Sequence, residues 1–199
     1  MTFLPESHAR YENYLAEYVE SLQKISGALI HEVSLVIVDA ILHSKSIGLL
    51  GNGGSASIVD HAQCDLLKWS IDKSQVVSST NVLALTSNVA LLSALNNDLG
   101  HAEAFSWLVK RFLKNGDVLI AVSSSGESEN ILNAVLKAKS EGILTIGFSG
   151  FENPTLSQIC DYSIQVNSRN YGIIEDLHGM LFHSITQIVF HALSRSKSI

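Results

Sequence analysis

The chain predicts a doubly wound α/β sandwich of about five parallel strands, with helices on both faces, two helices in front and one long helix at the end. Three observations predict it. Short apolar or β-branched runs of strand length recur along the chain, as "SIGLLG", "NVLALT", "DVLIAVS", "LTIGFSG" and "YSIQVN". Stretches with helical patterning, mostly roughly ten residues or longer, separate them. The runs are also near-continuously apolar rather than alternating, as strands covered on both faces are.

Each element follows in order. Residues 5–44 hold no strand-like run, and apolar residues recur at three and four spacing through "YLAEYVESLQKI" and "HEVSLVIVDAIL", which predicts two leading helices. "SIGLLG" is the first strand, and "GNGGS" turns it into a helix through "SIVDHAQCDLLKW". The strand "DVLIAVS" likewise hands over at "SSSGES" to another helix. Residues 173–195, "IIEDLHGMLFHSITQIVFHALSR", read as one long amphipathic helix. With the leading helices of residues 1–45 it offers apolar surface for a dimer or tetramer interface, or for packing on its own sheet.

Composition narrows the function classes. Apolar residues make up 46% and charged residues 16%, which argues for a folded core. The two prolines, Pro5 and Pro154, and the absence of a low-complexity linker point to one domain over residues 1–199. A net charge of −6 without a Lys/Arg cluster argues against nucleic-acid or anionic-membrane partners. The opening "MTFLPESHARYENY" is unlike a secretory leader, and no apolar run reaches membrane-span length, so a cytoplasmic address is expected. Cys64 and Cys160 have neither pairing nor C-x-x-C spacing, and both are expected to be buried small residues.

The two Gly/Ser turns carry the chemistry. Such a turn before a helix presents unpaired N–H groups and hydroxyls on the positive end of the helix dipole, which favours phosphate. In the second turn the candidates are Ser123, Ser124, Ser125 and Ser128, with Gly126 permitting the turn. A helix cap needs only one hydroxyl, so four exceed that role. In the first, Gly51, Gly53 and Ala56 match a relaxed dinucleotide pattern, but the next strand ends in Thr86 and Ser87 where an acidic residue is required. Strands in one parallel sheet aim both turns at one site beyond their carboxyl ends. His61 and Asp65, four apart, share a helix face fit to grip a metal or substrate. Glu175, Asp176, His178 and His183 add ligands later in the chain. Glu175 and His183, eight apart, would be separated by about 12 Å along a regular helix.

These residues together, "GNGGS" before a helix with His61, "NND" at 96–98, "SSSGES" at 123–128 and the late His-bearing helix, resemble the sugar isomerase (SIS) domain family, within it the heptose-phosphate isomerases. The resemblance implies flavodoxin-like five-stranded domains in a homotetramer, with active sites between subunits. It implies an aldose–ketose isomerase converting sedoheptulose 7-phosphate to D-glycero-D-manno-heptose 7-phosphate for lipopolysaccharide or capsule precursors. The serine turn would hold the phosphate with Ser55, the first turn (Asn52, Gly53, Gly54) would form a second wall, and Asn52 and Asp98 would contact sugar hydroxyls. Zinc would fall to His61, Asp65, Glu175 and His183, with Asp65 and His183 as the acid/base pair. The chain departs from that family's pattern at Asp65 for Glu, Glu175 for Gln, and Ile173 and Trp69 for arginines.

Two other functions fit parts of this pattern. One is a domain of the same fold that binds sugar phosphate or a protein partner, such as a replication initiator, without isomerase chemistry. The other is a dinucleotide oxidoreductase. Isolated histidines such as His101 and His178 are expected to be structural or surface residues.

Overall fold

A computed structural model describes residues 5–72 and 80–195 of the 199-residue chain. Two helices lead, α1 (Pro5–Gln23) and α2 (Gly27–Leu42). There follow β1 (Ile47–Gly51), α3 (Gly53–Asp72), β2 (Val82–Ala84), α4 (Val89–Leu99), α5 (His101–Phe112) and β3 (Val118–Ser123). The chain continues through α6 (Glu129–Ser140), β4 (Leu144–Ser149), α7 (Thr155–Ile159), β5 (Tyr162–Gln165) and α8 (Tyr171–Arg195).

All pairings are parallel, in the order β2-β1-β3-β4-β5. This is the flavodoxin-like order, and its reversal point lies between β1 and β3. The edges are short: β2 has 3 residues and β5 has 4.

Strand alternation divides the core. Ile47 and Leu49 of β1, Val118, Ile120 and Val122 of β3, and Ile146 and Phe148 of β4 pack under α2, α3 and α8. Leu50, Leu119 and Ala121 face α4, α5, α6 and α7 on the other side. Buried on both faces, these strands need the near-continuous apolar runs seen in the sequence. Ile173, where the family pattern carries an arginine, is fully buried in the first of these clusters, so it contributes packing and no charge.

Local chemistry sets the boundaries. Ser26 Oγ accepts the Leu29 N–H at the start of α2, and Asn88 Oδ1 accepts that of Leu91 at the start of α4. Gly100, at φ +83°, breaks α4 from α5. Two carboxylates brace the amino ends of the strands. Asp117, nearly fully buried, accepts from the Ser46 N–H (2.8 Å) and the Lys114 N–H (2.9 Å). Asp161 accepts from the Thr145 N–H and Oγ1 (2.8 Å each) and from Lys139. Burial pushes the Asp161 carboxyl up, but the Lys139 and Thr145 hydrogen bonds outweigh it and hold it below the usual carboxylate range.

The leading helix α1 lies on α8 through Tyr14 and Tyr18. Tyr14 Oη donates to Asp176 Oδ2 at 2.5 Å, and the Ser168 hydroxyl donates to Glu17 at 2.6 Å. Helix α1 also exposes Tyr11, Leu15, Val19 and Leu22. No single helix among the described residues is long and apolar enough to cross a membrane.

One expectation is overturned here: Cys64 is exposed, because Val59, Ala62 and Leu66 take the inward face of α3. Cys160 is half-buried against Gly147, and burial pushes its thiol up to about 12.

Candidate active site

The serine turn leaves β3 at Ser123 and enters α6 at Glu129. Ser123 Oγ accepts the Gly126 N–H (3.1 Å) and lies 3.3 Å from Ser128 Oγ and 3.5 Å from Ser125 Oγ. Three hydroxyls thus converge at the head of a helix. Ser128 stands at the N-cap of α6, yet its side chain makes no capping bond. Ser124 Oγ is buried with no hydrogen-bond partner among the described residues. Gly126 is required: its φ is +70°, and a Cβ there would meet Pro154 Cβ at 2.3 Å. Glu127 points the other way and accepts from the Thr155 N–H (2.6 Å) and Oγ1 (2.8 Å), so its charge ties the turn to α7.

The first turn leaves β1 at Gly51. A Cβ on Gly51 would meet the Ser55 carbonyl carbon at 2.7 Å, and Gly53 has φ +50°. Ser55 is buried at the helix start. Asn52 pairs with Asn130, the first residue in this region that sequence reasoning missed. Its one signal was its place two residues beyond Ser128, in the first turn of α6.

His61 and Asp65 of α3 meet His183 of α8. The two His Nε2 atoms are 3.3 Å apart, and Asp65 Oδ2 is 3.5 Å from each. Four donors around a tetrahedral zinc at about 2.0–2.1 Å have edges of about 3.3–3.4 Å, so this triangle fits three positions of such an ion and leaves the fourth open. Asp65 therefore reaches the cluster although it is one bond shorter than the Glu of the family pattern. The imidazoles are solvent-facing, with 61% and 53% of the His61 and His183 side chains exposed, and Asp65 is more sheltered at 29%. A hollow of about 180 Å³ opens beside them, lined by Ser57, Ile58 and Phe182.

Glu175 is not in the triangle. Its carboxylate lies against Gly54, where an added Cβ would sit 2.4 Å from Glu175 Oε2. Along the axis of α8 it stands eight residues, about 12 Å, from His183. An anion at the head of α3 is favoured by the helix dipole. Asp98, at the end of α4, accepts from Asn97 (3.0 Å) and makes no hydrogen bond to either turn among the described residues. The Trp69 side chain lies outside the described residues.

On the far side of His183 a cleft of about 510 Å³ runs between α1 and α8, lined by Tyr14, Tyr18, Glu175 and Asp176. The Asp176 hydrogen bond, with burial and the Asp176 charge adding, pushes the Tyr14 phenol up to about 12. His178 is structural, as expected: fully buried, it meets the Ser149 carbonyl at 3.2 Å and stands edge-on to Phe148. Burial pushes it down to about 4 against the raising effect of the Ser149 carbonyl, so it is neutral at pH 7.

Comparison with known proteins shows the family and the fold. Residues 10–150 match the SIS domain model. The chain is 33% identical over 182 residues to the phosphoheptose isomerase of Nitratiruptor sp., covering 89% of this chain and 95% of that protein. It is 34% identical over 174 residues to that of Clostridium acetobutylicum, covering 87% and 83%. The structure of a phosphoheptose isomerase from Francisella tularensis superposes with TM-score 0.84 at 25% identity, over 95% of this chain and 98% of that one. The Neisseria gonorrhoeae phosphoheptose isomerase shares the fold, at TM-score 0.82 and 22% identity over 94% and 97%. The chain belongs to the SIS domain family, among its phosphoheptose isomerases.

Proposed function

We propose that this chain interconverts sedoheptulose 7-phosphate and D-glycero-D-manno-heptose 7-phosphate as a zinc-dependent aldose–ketose isomerase, in a cytoplasmic homotetramer, for lipopolysaccharide or capsule precursors. The observation that carries the reading is the meeting of His61, Asp65 and His183, from helices far apart in sequence, at metal-ligand spacing in a chain so similar to phosphoheptose isomerases.

The chain's own residues account for the chemistry. Ser123, Ser125 and Ser128, with Ser55 and the N–H groups of the two helix starts, bind the phosphate without a Lys/Arg cluster. Moving a carbonyl between C2 and C1 needs a base for the adjacent proton, an acid at the oxygen and stabilisation of the enediolate. Asp65, with a second oxygen beyond the one facing the imidazoles, and His183 serve as that pair. His61, Asp65 and His183 would hold zinc, which would supply Lewis-acid polarisation of the carbonyl. Glu175, beside Gly54, lines the wall nearest the sugar. The exposed stripe Tyr11, Leu15, Val19 and Leu22 on α1 supplies apolar surface for assembly.

The test is interconversion of the two heptose phosphates followed by NMR, with zinc and then with a chelator. Turnover that disappears on chelation is the expected result. A folded protein that binds sugar phosphate and turns over neither isomer in zinc would instead be a binding module.

A further inference from the structure

The β1–β3 ladder ends at Gly51 opposite Val122, and beyond it the two turns diverge to opposite faces, α3 to one and α6 to the other. One pair of side chains bridges them. Asn52 Nδ2 donates to Asn130 Oδ1 and Asn130 Nδ2 donates to Asn52 Oδ1, each at 3.0 Å. Asn130 is fully buried, and its Oδ1 also accepts the Ile131 N–H at 3.0 Å. Rotating either amide breaks both bonds and strands buried polar atoms, so the pair has one arrangement. The next residue, Gly53, has φ +50° and open space where a side chain would be, so packing does not hold the turn there.

From this geometry we propose that Asn130 is a positioning residue of the isomerase site: it orients the Asn52 amide and thereby fixes the first turn against the serine turn. The proposal rests on the isomerase reading. Asn52 spends one N–H and one lone pair on Asn130, and its remaining N–H and lone pair are left, already aimed, for a sugar hydroxyl.

The test compares the zinc-loaded wild type, Asn130→Ala, Asn52→Ala and the double variant. Asn130→Ala should lower kcat/KM for sedoheptulose 7-phosphate about 30-fold, chiefly through KM, but under about threefold in the Asn52→Ala background, because the two act as one unit. Equal losses in both backgrounds, or an unchanged KM, would overturn the proposal. Should Asn130→Ala fail to fold, Asn130→Asp replaces it: Oδ1 keeps both acceptor contacts, while a charged oxygen facing Asn52 Oδ1 stands where Nδ2 donated. Amide hydrogen exchange supplies a readout that needs no turnover. Amides 52–56 should exchange about tenfold faster while β1 and β3 are unchanged, whereas uniform acceleration would make Asn130 a fold residue only. A wild type inactive on the sugar defeats the isomerase reading, and the exchange pattern still decides whether Asn130 holds the first turn.

Discussion

Aspartates serve opposite purposes at the amino edge of the sheet and at the crossing of α3 with α8. Asp117 spends both oxygens on the N–H groups of Ser46 and Lys114, and Asp161 spends its own on Thr145 and Lys139. Among the described residues Asp65 faces two imidazoles, at 3.5 Å each. The first two are bound to groups that the fold itself supplies. The third is left with partners that a metal or substrate can engage. The difference separates residues that hold the sheet together from residues available to chemistry.

Substitutions can break that division or sharpen it. The largest effect is expected at the helix crossing: His183→Ala and Asp65→Asn should each lower turnover at least about a thousandfold with the fold intact by circular dichroism. Near-normal turnover in both would refute the assignment. At the amino edge the effect should be on stability. Asp117→Ala leaves two backbone N–H groups unpaired and should cost about 2–3 kcal/mol in denaturant unfolding, while activity per folded molecule is kept.

A third test uses pH. His178 is held near 4 in the fold against about 6.5 when unfolded, so the unfolded chain binds the extra proton between those values. Its stabilising contribution is complete above pH 6.5 and is lost as pH falls toward 4, by up to roughly 3 kcal/mol. His178→Phe should flatten the dependence of Tm on pH in that window. The smallest effect is expected from Tyr14→Phe, which removes the bond to Asp176 at a partly exposed site and should cost under about 1 kcal/mol. A larger loss would mean that this contact anchors α1.

Residue patterning made the scaffold readable, because strands buried on both faces must be apolar throughout, as Ile47–Gly51 and Val118–Ser123 are. The serine turn was readable because hydroxyls are crowded into six residues. The His61/Asp65 pair followed from helical spacing. Contacts that depend on tertiary crossing were less so. His183 meets His61 from 122 residues away, a distance no periodicity encodes, and it was found through family likeness. Asn130 escaped notice because a buried amide has no spacing signature; only its partner Asn52, 78 residues earlier, gives it meaning. Cys64 was misassigned because side-chain size predicts burial on average, whereas its position on α3 turns it outward.

The sheet's short edges have a consequence for how copies of the chain meet. An exposed edge strand is a template for pairing with a neighbour, but β2 offers 3 residues and β5 offers 4. Strand-by-strand accretion therefore has little to grip. Any self-association would fall to helix faces, such as the exposed apolar residues of α1, and not to strand pairing.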